Sequence, residues 1–283
     1  MIDLIARTTM HRSTTMIVKS ILLLVLLQNS ASKASLLISP MRVAMDDRQR
    51  SAEVILINSG NKIKTYRIGW VQKRALSGGG YQDLNTQQSA NFPTASQMFR
   101  MSPKQVTLAP GQRQVIKIAA RRPNGLPDGE YRSHLKFTAL ASEANKPTNN
   151  SPGIVLNLML NYSIPIILRQ GSTEVDVNIA EAKIVESLIN NKKKYEIALT
   201  ISRSGPSSAF GSIHGYWRPN NSNEETLIAI LNSVHFYPEL NRNTYNVFWQ
   251  QPENPPINGQ LRIVYEGRKE YQNKIFAEKL INL

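Results

Sequence analysis

From Ser35 onward the chain alternates apolar and polar residues at period two, in short runs broken by turn residues. That pattern predicts β-strands, each with one buried face. Val54-Ile55-Leu56-Ile57 is apolar and mostly β-branched, and it stops at Asn58-Ser59-Gly60-Asn61. Tyr66, Ile68 and Trp70 fall on one face of a strand, with Arg67 and Gly69 on the other. At Ala109-Pro110-Gly111-Gln112 the proline sets φ at the second turn position and the glycine accepts positive φ at the third. Val115 to Ala120 resumes extension. Asn124-Gly125 and Asp128-Gly129 are further turn dipeptides, after which Tyr131, Leu135 and Phe137 alternate with Arg132, His134 and Lys136. About seven short strands over residues 35–169 predict an immunoglobulin-like sandwich. No stretch carries a sustained helical stripe with caps.

Ser142 to Pro152 is polar and turn-rich and reads as an exposed loop. The longest extended run follows, Gly153 to Arg169. Its even positions, Ile154, Leu156, Leu158, Leu160, Tyr162 and Ile164, are uniformly apolar, while the odd ones are mixed. Pro165 cannot donate a ladder hydrogen bond, which predicts a sheet edge. Gln170-Gly171-Ser172 reads as a hinge. Beyond it the strand pattern restarts at Val175–Ile179, Tyr195–Ile201, Phe210–Trp217, Tyr245–Trp249, Leu261–Tyr265 and Ile275–Leu283. The expected fold is all-β, with two immunoglobulin-like sandwiches in tandem, over residues 35–169 and 170–283.

The amino end breaks the pattern. Arg7, Arg12 and Lys19 precede the apolar block Ile21 to Leu27, and small and polar residues follow to Ala34. This is the layout of a secretory signal peptide over residues 1–34, with cleavage after Ala34. The block is too short to span a bilayer, which takes about 20 apolar residues. The formal net charge is +14. Removing Arg7, Arg12, Lys19, Lys33 and Asp3 with the leader leaves +11 on the exported chain. Export lowers the expectation of a nucleic-acid partner, and no basic helix or aromatic-interleaved strip supports one.

Catalytic chemistry has little footing. The chain holds no cysteine, which removes disulfides, thiolate metal sites and cysteine nucleophiles. His134, His214 and His235 show no metal-ligand spacing, so no metal or cofactor is expected. Gly78-Gly79-Gly80 lacks the strand-to-helix context of a phosphate loop and reads as a flexible tip. Asp46-Asp47 reads as a solvated turn, and Lys192-Lys193-Lys194 as the tip of a hairpin. The expected protein is not an enzyme.

Several segments together resemble the periplasmic chaperones of the chaperone–usher pilus pathway. They are Ser39-Pro40-Met41-Arg42-Val43, Arg50-Ser51-Ala52-Glu53-Val54, Asn58-Ser59-Gly60 and Thr65-Tyr66-Arg67-Ile68-Gly69-Trp70. Ser102-Pro103, Leu108-Ala109-Pro110-Gly111-Gln112 and Asp128-Gly129-Glu130-Tyr131-Arg132-Ser133-His134-Leu135 continue the series. Their order and spacing look like the archaic branch of that family. The resemblance is dense over residues 35–169 and rests on size and strand pattern over 170–283.

That resemblance implies two sandwiches in a boomerang arrangement, in the periplasm, serving fimbrium biogenesis and cell wall organisation. It implies donor-strand complementation: the chaperone pairs its own edge strand with an incomplete pilin sandwich and pushes alternate side chains into the open groove. The lent side chains would be Ile154, Leu156, Leu158 and Leu160. Composition alone fits equally a face packed into the chaperone's own core, as expected near Ile164 to Leu168. The implied partners are pilin subunits and an outer-membrane usher, with self-association when unloaded left open. The family also holds the pilin's terminal carboxylate with basic residues in the cleft between domains. Arg42 matches its first-strand arginine. The position of its last-strand lysine holds Pro165, so Arg132 is taken as the substitute, against the alternative of an ordinary exposed strand arginine. Arg100 and Arg169 are weaker candidates. A secreted adhesin or surface-binding module built from the same sandwiches is the competing function.

Overall fold

The computed structural model describes residues 36–140, 160–172, 174–189, 192–250 and 258–283. The proposed signal peptide and the lent residues Ile154, Leu156 and Leu158 lie outside them. The regular structure described is strand, apart from the helix Thr86–Ala90 and short 3-10 turns at Ser96–Met98 and Lys269–Tyr271.

The first half contains β1 (Leu37–Ser39), β2 (Val43–Met45), β3 (Ser51–Ile57), β4 (Lys64–Val71), β5 (Lys73–Ala75), β6 (Tyr81–Asp83), β7 (Phe99–Ser102), β8 (Gln105–Leu108), β9 (Arg113–Ala120), β10 (Gly129–Ala139) and β11 (Asn161–Gln170). Among the described residues eleven strands thus stand where about seven were expected, because short edge strands and a hairpin carry too few residues to show alternation. Four form a sheet in the order β1-β3-β9-β7, and five form another in the order β2-β11-β10-β4-β8. β5 and β6 make the separate hairpin.

Register explains why the core forms. Val54 lies opposite Ile116 in the first sheet. In the second, Leu135 stands between Trp70 and Ile164, and Phe137 between Ile68 and Tyr162. These rows face the other sheet and bury the residues whose alternation marked them in the sequence. Asn58 sits in the same core without cost. Its Nδ2 donates to the carbonyls of Lys62 (2.8 Å) and Leu108 (2.9 Å), and its Oδ1 accepts from Gly60 N (3.1 Å).

The second half contains β12 (Asp176–Ile189), β13 (Lys192–Ser204), β14 (Ala209–Pro219), β15 (Thr226–Phe236), β16 (Arg242–Phe248), β17 (Gly259–Gly267) and β18 (Ile275–Asn282). A sheet β12-β13-β16 packs on a sheet β15-β14-β17-β18 around a second core. β15 has no counterpart among the six expected runs. Ser233 adopts φ 57° within it, and its pairing with β14 shifts register between Gly211 and Ile213, so its alternation breaks in the middle.

The expected edge position of the Pro165 strand is half correct. β11 pairs β10 from Asn161 to Gln170. Its other side is covered only at Ile166–Leu168, by the short parallel strand β2. Among the described residues, Asn161–Pro165 therefore have a strand neighbour on one side alone.

Candidate functional site

The face of the five-stranded sheet turned away from its core carries Glu130, Arg132, His134 and Lys136 on β10, Pro165, Ile167 and Arg169 on β11, and Arg42 and Ala44 at β2. Alternation alone reads such a face as solvated. Instead Glu130, Arg132, His134 and Arg169 are buried: the second sandwich packs on Glu130, Arg132 and Arg169, and Tyr81 of the hairpin lies against His134. Among the described residues a small apolar cluster lies at the junction, Ala75, Ile167 and Tyr237 with Ala44 and Leu240 against it. Around it stand many charged groups, which need partners.

They have them. Glu130 and Arg169 are direct cross-strand neighbours, and Arg169 Nε donates to Glu130 Oε2 at 3.0 Å. Ser208 Oγ of the second sandwich donates to the same oxygen at 2.7 Å. Arg169 Nη1 reaches Glu270 Oε1 at 2.9 Å. Arg42 meets Glu270 in a fork, Nη2 to Oε1 at 2.7 Å and Nη1 to Oε2 at 3.0 Å, with its guanidinium 4.6 Å from the Phe210 ring centroid. Burial works to raise the Glu270 carboxyl, but the hydrogen bonds and charge of Arg42, helped by Arg169, hold it below its usual range.

Arg132 forms a second cluster. It donates to both oxygens of Glu239, which also accepts from the Ala75 backbone N–H at 2.8 Å. The Arg132 guanidinium stacks 3.7 Å from the ring centroid of Tyr237. The Tyr237 hydroxyl lies 3.1 Å from that of Tyr81 and 3.0 Å from His235 Nδ1. The hairpin β5–β6 thus reaches across to the second sandwich, and at its glycine tip Gly78 N donates to Asn243 Oδ1 at 2.7 Å. Burial, then the charge of Arg132, pushes His134 down to about 3. Burial, then Arg42 and Arg132, does the same to His235. Both rings are neutral at ordinary pH.

Arg42 and Arg132 therefore both stand at the junction, and Arg169 with them. Arg100 lies elsewhere, on β7 in the other sheet. Glu130, Glu239 and Glu270 were not read from the sequence; the last two come from turns of the distant sandwich and carry no local signal. The one lent residue described, Leu160, is 54% exposed, although Ile164, Ile166 and Leu168 on the same face are fully buried. Among the described residues no group of three or more His, Asp or Glu could hold a metal ion. No helix there is long and apolar enough to cross a membrane.

No protein-family model matches the chain. No curated protein matches its sequence either. Solved structures do resemble it. One is the CsuC–CsuE chaperone–tip adhesion subunit pre-assembly complex from archaic chaperone–usher Csu pili of Acinetobacter baumannii, at 13% identity and TM-score 0.42, covering 88% of this chain and 97% of that one. Another is the SafA pilin in complex with the SafB chaperone of Salmonella enterica, at 14% identity and TM-score 0.44, covering 89% and 99%. A third is the CupB2 chaperone of Pseudomonas aeruginosa, at 11% identity and TM-score 0.44, covering 87% and 98%. In structure, what this chain is similar to is a set of pilus chaperones.

Proposed function

We propose that this protein is a non-enzymatic periplasmic chaperone that captures pilin subunits by lending them a strand and delivers them to an outer-membrane usher. One observation carries the reading. The apolar face of β11 overruns its own core: Ile164 is buried, yet Leu160 on the same face is exposed, at an edge that β2 leaves uncovered before Ile166. An exposed apolar residue on an open strand edge invites another strand. Leu158, Leu156 and Ile154 would extend that face into the pilin groove. Each such side chain, once buried, contributes about 1.5–3 kcal/mol before ordering costs. Arg42 and Arg132 would receive the pilin's terminal carboxylate, since a guanidinium pairs a carboxylate through two bonds.

The test is co-expression with a pilin subunit and pull-down from the periplasm. Leu160→Asp, Leu158→Asp and Leu156→Asp should each abolish capture while leaving the melting temperature unchanged. Normal pilin recovery with all three would refute strand lending. Arg42→Ala and Arg132→Ala should weaken capture, and an Arg132→Ala protein that binds like wild type would remove Arg132 from the anchor.

A further inference from the structure

We propose that Glu270 is a built-in stand-in for the partner's terminal carboxylate, and that capture proceeds by exchange of one carboxylate for the other on Arg42. This rests on the anchor reading above and adds its regulation.

The geometry of a fork between a guanidinium and a carboxylate is what an incoming chain terminus would adopt on Arg42, and Glu270 already occupies it. The arginines lie inside and the carboxylate outside: the side chains of Arg42 and Arg169 are 7% and 4% exposed, that of Glu270 27%. The occupant is therefore reachable from solvent without prior opening of the junction.

Its departure strands no charge. Arg169 keeps Glu130 Oε2 at 3.0 Å and Ser208 Oγ at 3.2 Å. Arg42 trades one carboxylate for another. Without a stand-in, the free protein would hold Arg42 buried and unpaired, which is the costly state for an ion. Glu239 on Arg132 is differently placed. It also ties the Ala75 backbone across the junction, so its removal would cost a structural bond.

The turn that bears Glu270 is suited to release. Lys269 and Asn273 both take left-handed backbone, at φ 59° and 70°, without being glycine. Such positions persist only while surrounding contacts hold them. The fork to Arg42 and the bond to Arg169 are among those contacts.

The probes are a strand-forming peptide of alternating valine and threonine with a free C-terminal carboxylate, and the same peptide as its C-terminal amide. Binding of each is measured by calorimetry on wild type, Glu270→Gln and Arg42→Ala. Glu270→Gln should bind the acid peptide about fivefold or more tightly than wild type does, with no gain for the amide. Arg42→Ala should lose the preference for the acid. In wild type, the acid peptide alone should speed hydrogen exchange at the amides of Tyr271, Gln272 and Lys274, which close the turn. That readout needs no variant, so a misfolded Glu270→Gln leaves the test intact.

A wild type that prefers the acid, with no gain in Glu270→Gln and no faster exchange in the turn, would overturn the exchange and keep the anchor. A wild type that binds acid and amide alike would overturn the anchor itself, and the exchange with it.

Discussion

Acid should loosen this protein well before its carboxylates titrate. His134 and His235 lie at the junction with their pKa values pushed from 6.5 to about 3 by burial and by the neighbouring arginines. His134 faces Arg132 and Lys73, and His235 faces Arg42, Arg132 and Glu270. Once the chain opens, each ring regains its ordinary affinity for protons. Below pH 6.5 the open form binds protons that the closed form refuses. Stability is therefore complete above that pH and falls as pH drops toward about 3. At a pH of about 5 each histidine costs about 2 kcal/mol, and the pair about 4, against a usual total of about 5–15. Glu270 also weakens the fold in acid, but its pKa is held below the ordinary 4.5, so its share is lost only below that pH. The two windows separate. The assay is urea unfolding followed by circular dichroism between about pH 7.5 and 5, on wild type and on the double variant His134→Gln, His235→Gln. The double variant should keep most of the stability that wild type loses. His214 also sits below its usual value through burial, partly offset by Glu266, and its share remains in both proteins. A wild type that loses less than about 1 kcal/mol over that range, or a double variant that loses as much as wild type, would refute the reasoning.

Other expectations follow from single contacts. Asn58→Leu strips hydrogen bonds from the carbonyls of Lys62 and Leu108 and from Gly60 N, and should cost about 2–4 kcal/mol in urea unfolding. Arg169→Met leaves the buried Glu130 carboxylate without its cation and should cost about 3–5 kcal/mol. Arg262→Ala breaks a fork to Glu225 at the surface and should cost no more than about 1 kcal/mol by the same measurement. A Cβ at Gly211 would lie 2.0 Å from the Glu266 carbonyl oxygen, whereas one at Gly69 would meet nothing within 4 Å. Gly211→Ala should lower the melting temperature strongly and Gly69→Ala leave it unchanged, since overpacking against backbone has no cheap relief.

Where a strand buries one face against its own sandwich, alternation was sufficient to read it. Tyr66, Ile68, Leu135 and Phe137 point where their spacing puts them. The Ala109–Gln112 turn closes with Gly111 at φ 74°, as its glycine foretold. Alternation misleads where a second body covers the other face. Glu130, Arg132, His134 and Lys136 form a polar row that looks solvated, yet the first three are buried, Glu130 against Ser208, Arg132 against Tyr237 and Glu239, and His134 against Tyr81 of the hairpin. Tyr237 and Glu239, which cover Arg132, sit at a turn with no period of its own. β15 escaped notice for a related reason, a left-handed residue within it that breaks alternation where a bulge supports the pairing. Arg42 was found only through the resemblance, because nothing in its own neighbourhood marks it.

The polar character of the junction has a consequence for how the molecule is made. The chain emerges amino end first, so the first sandwich precedes the second, and Ala75 waits for Glu239 and Gly78 for Asn243 across more than 160 residues of chain. An apolar seam would leave that half-made molecule sticky throughout the delay. Arg132 is content in water until Glu239 arrives, and Arg169 and Glu130 pair with each other until Glu270 and Ser208 join them. A protein proposed to shield the open edges of others thus emerges with little of its own docking face in need of shielding.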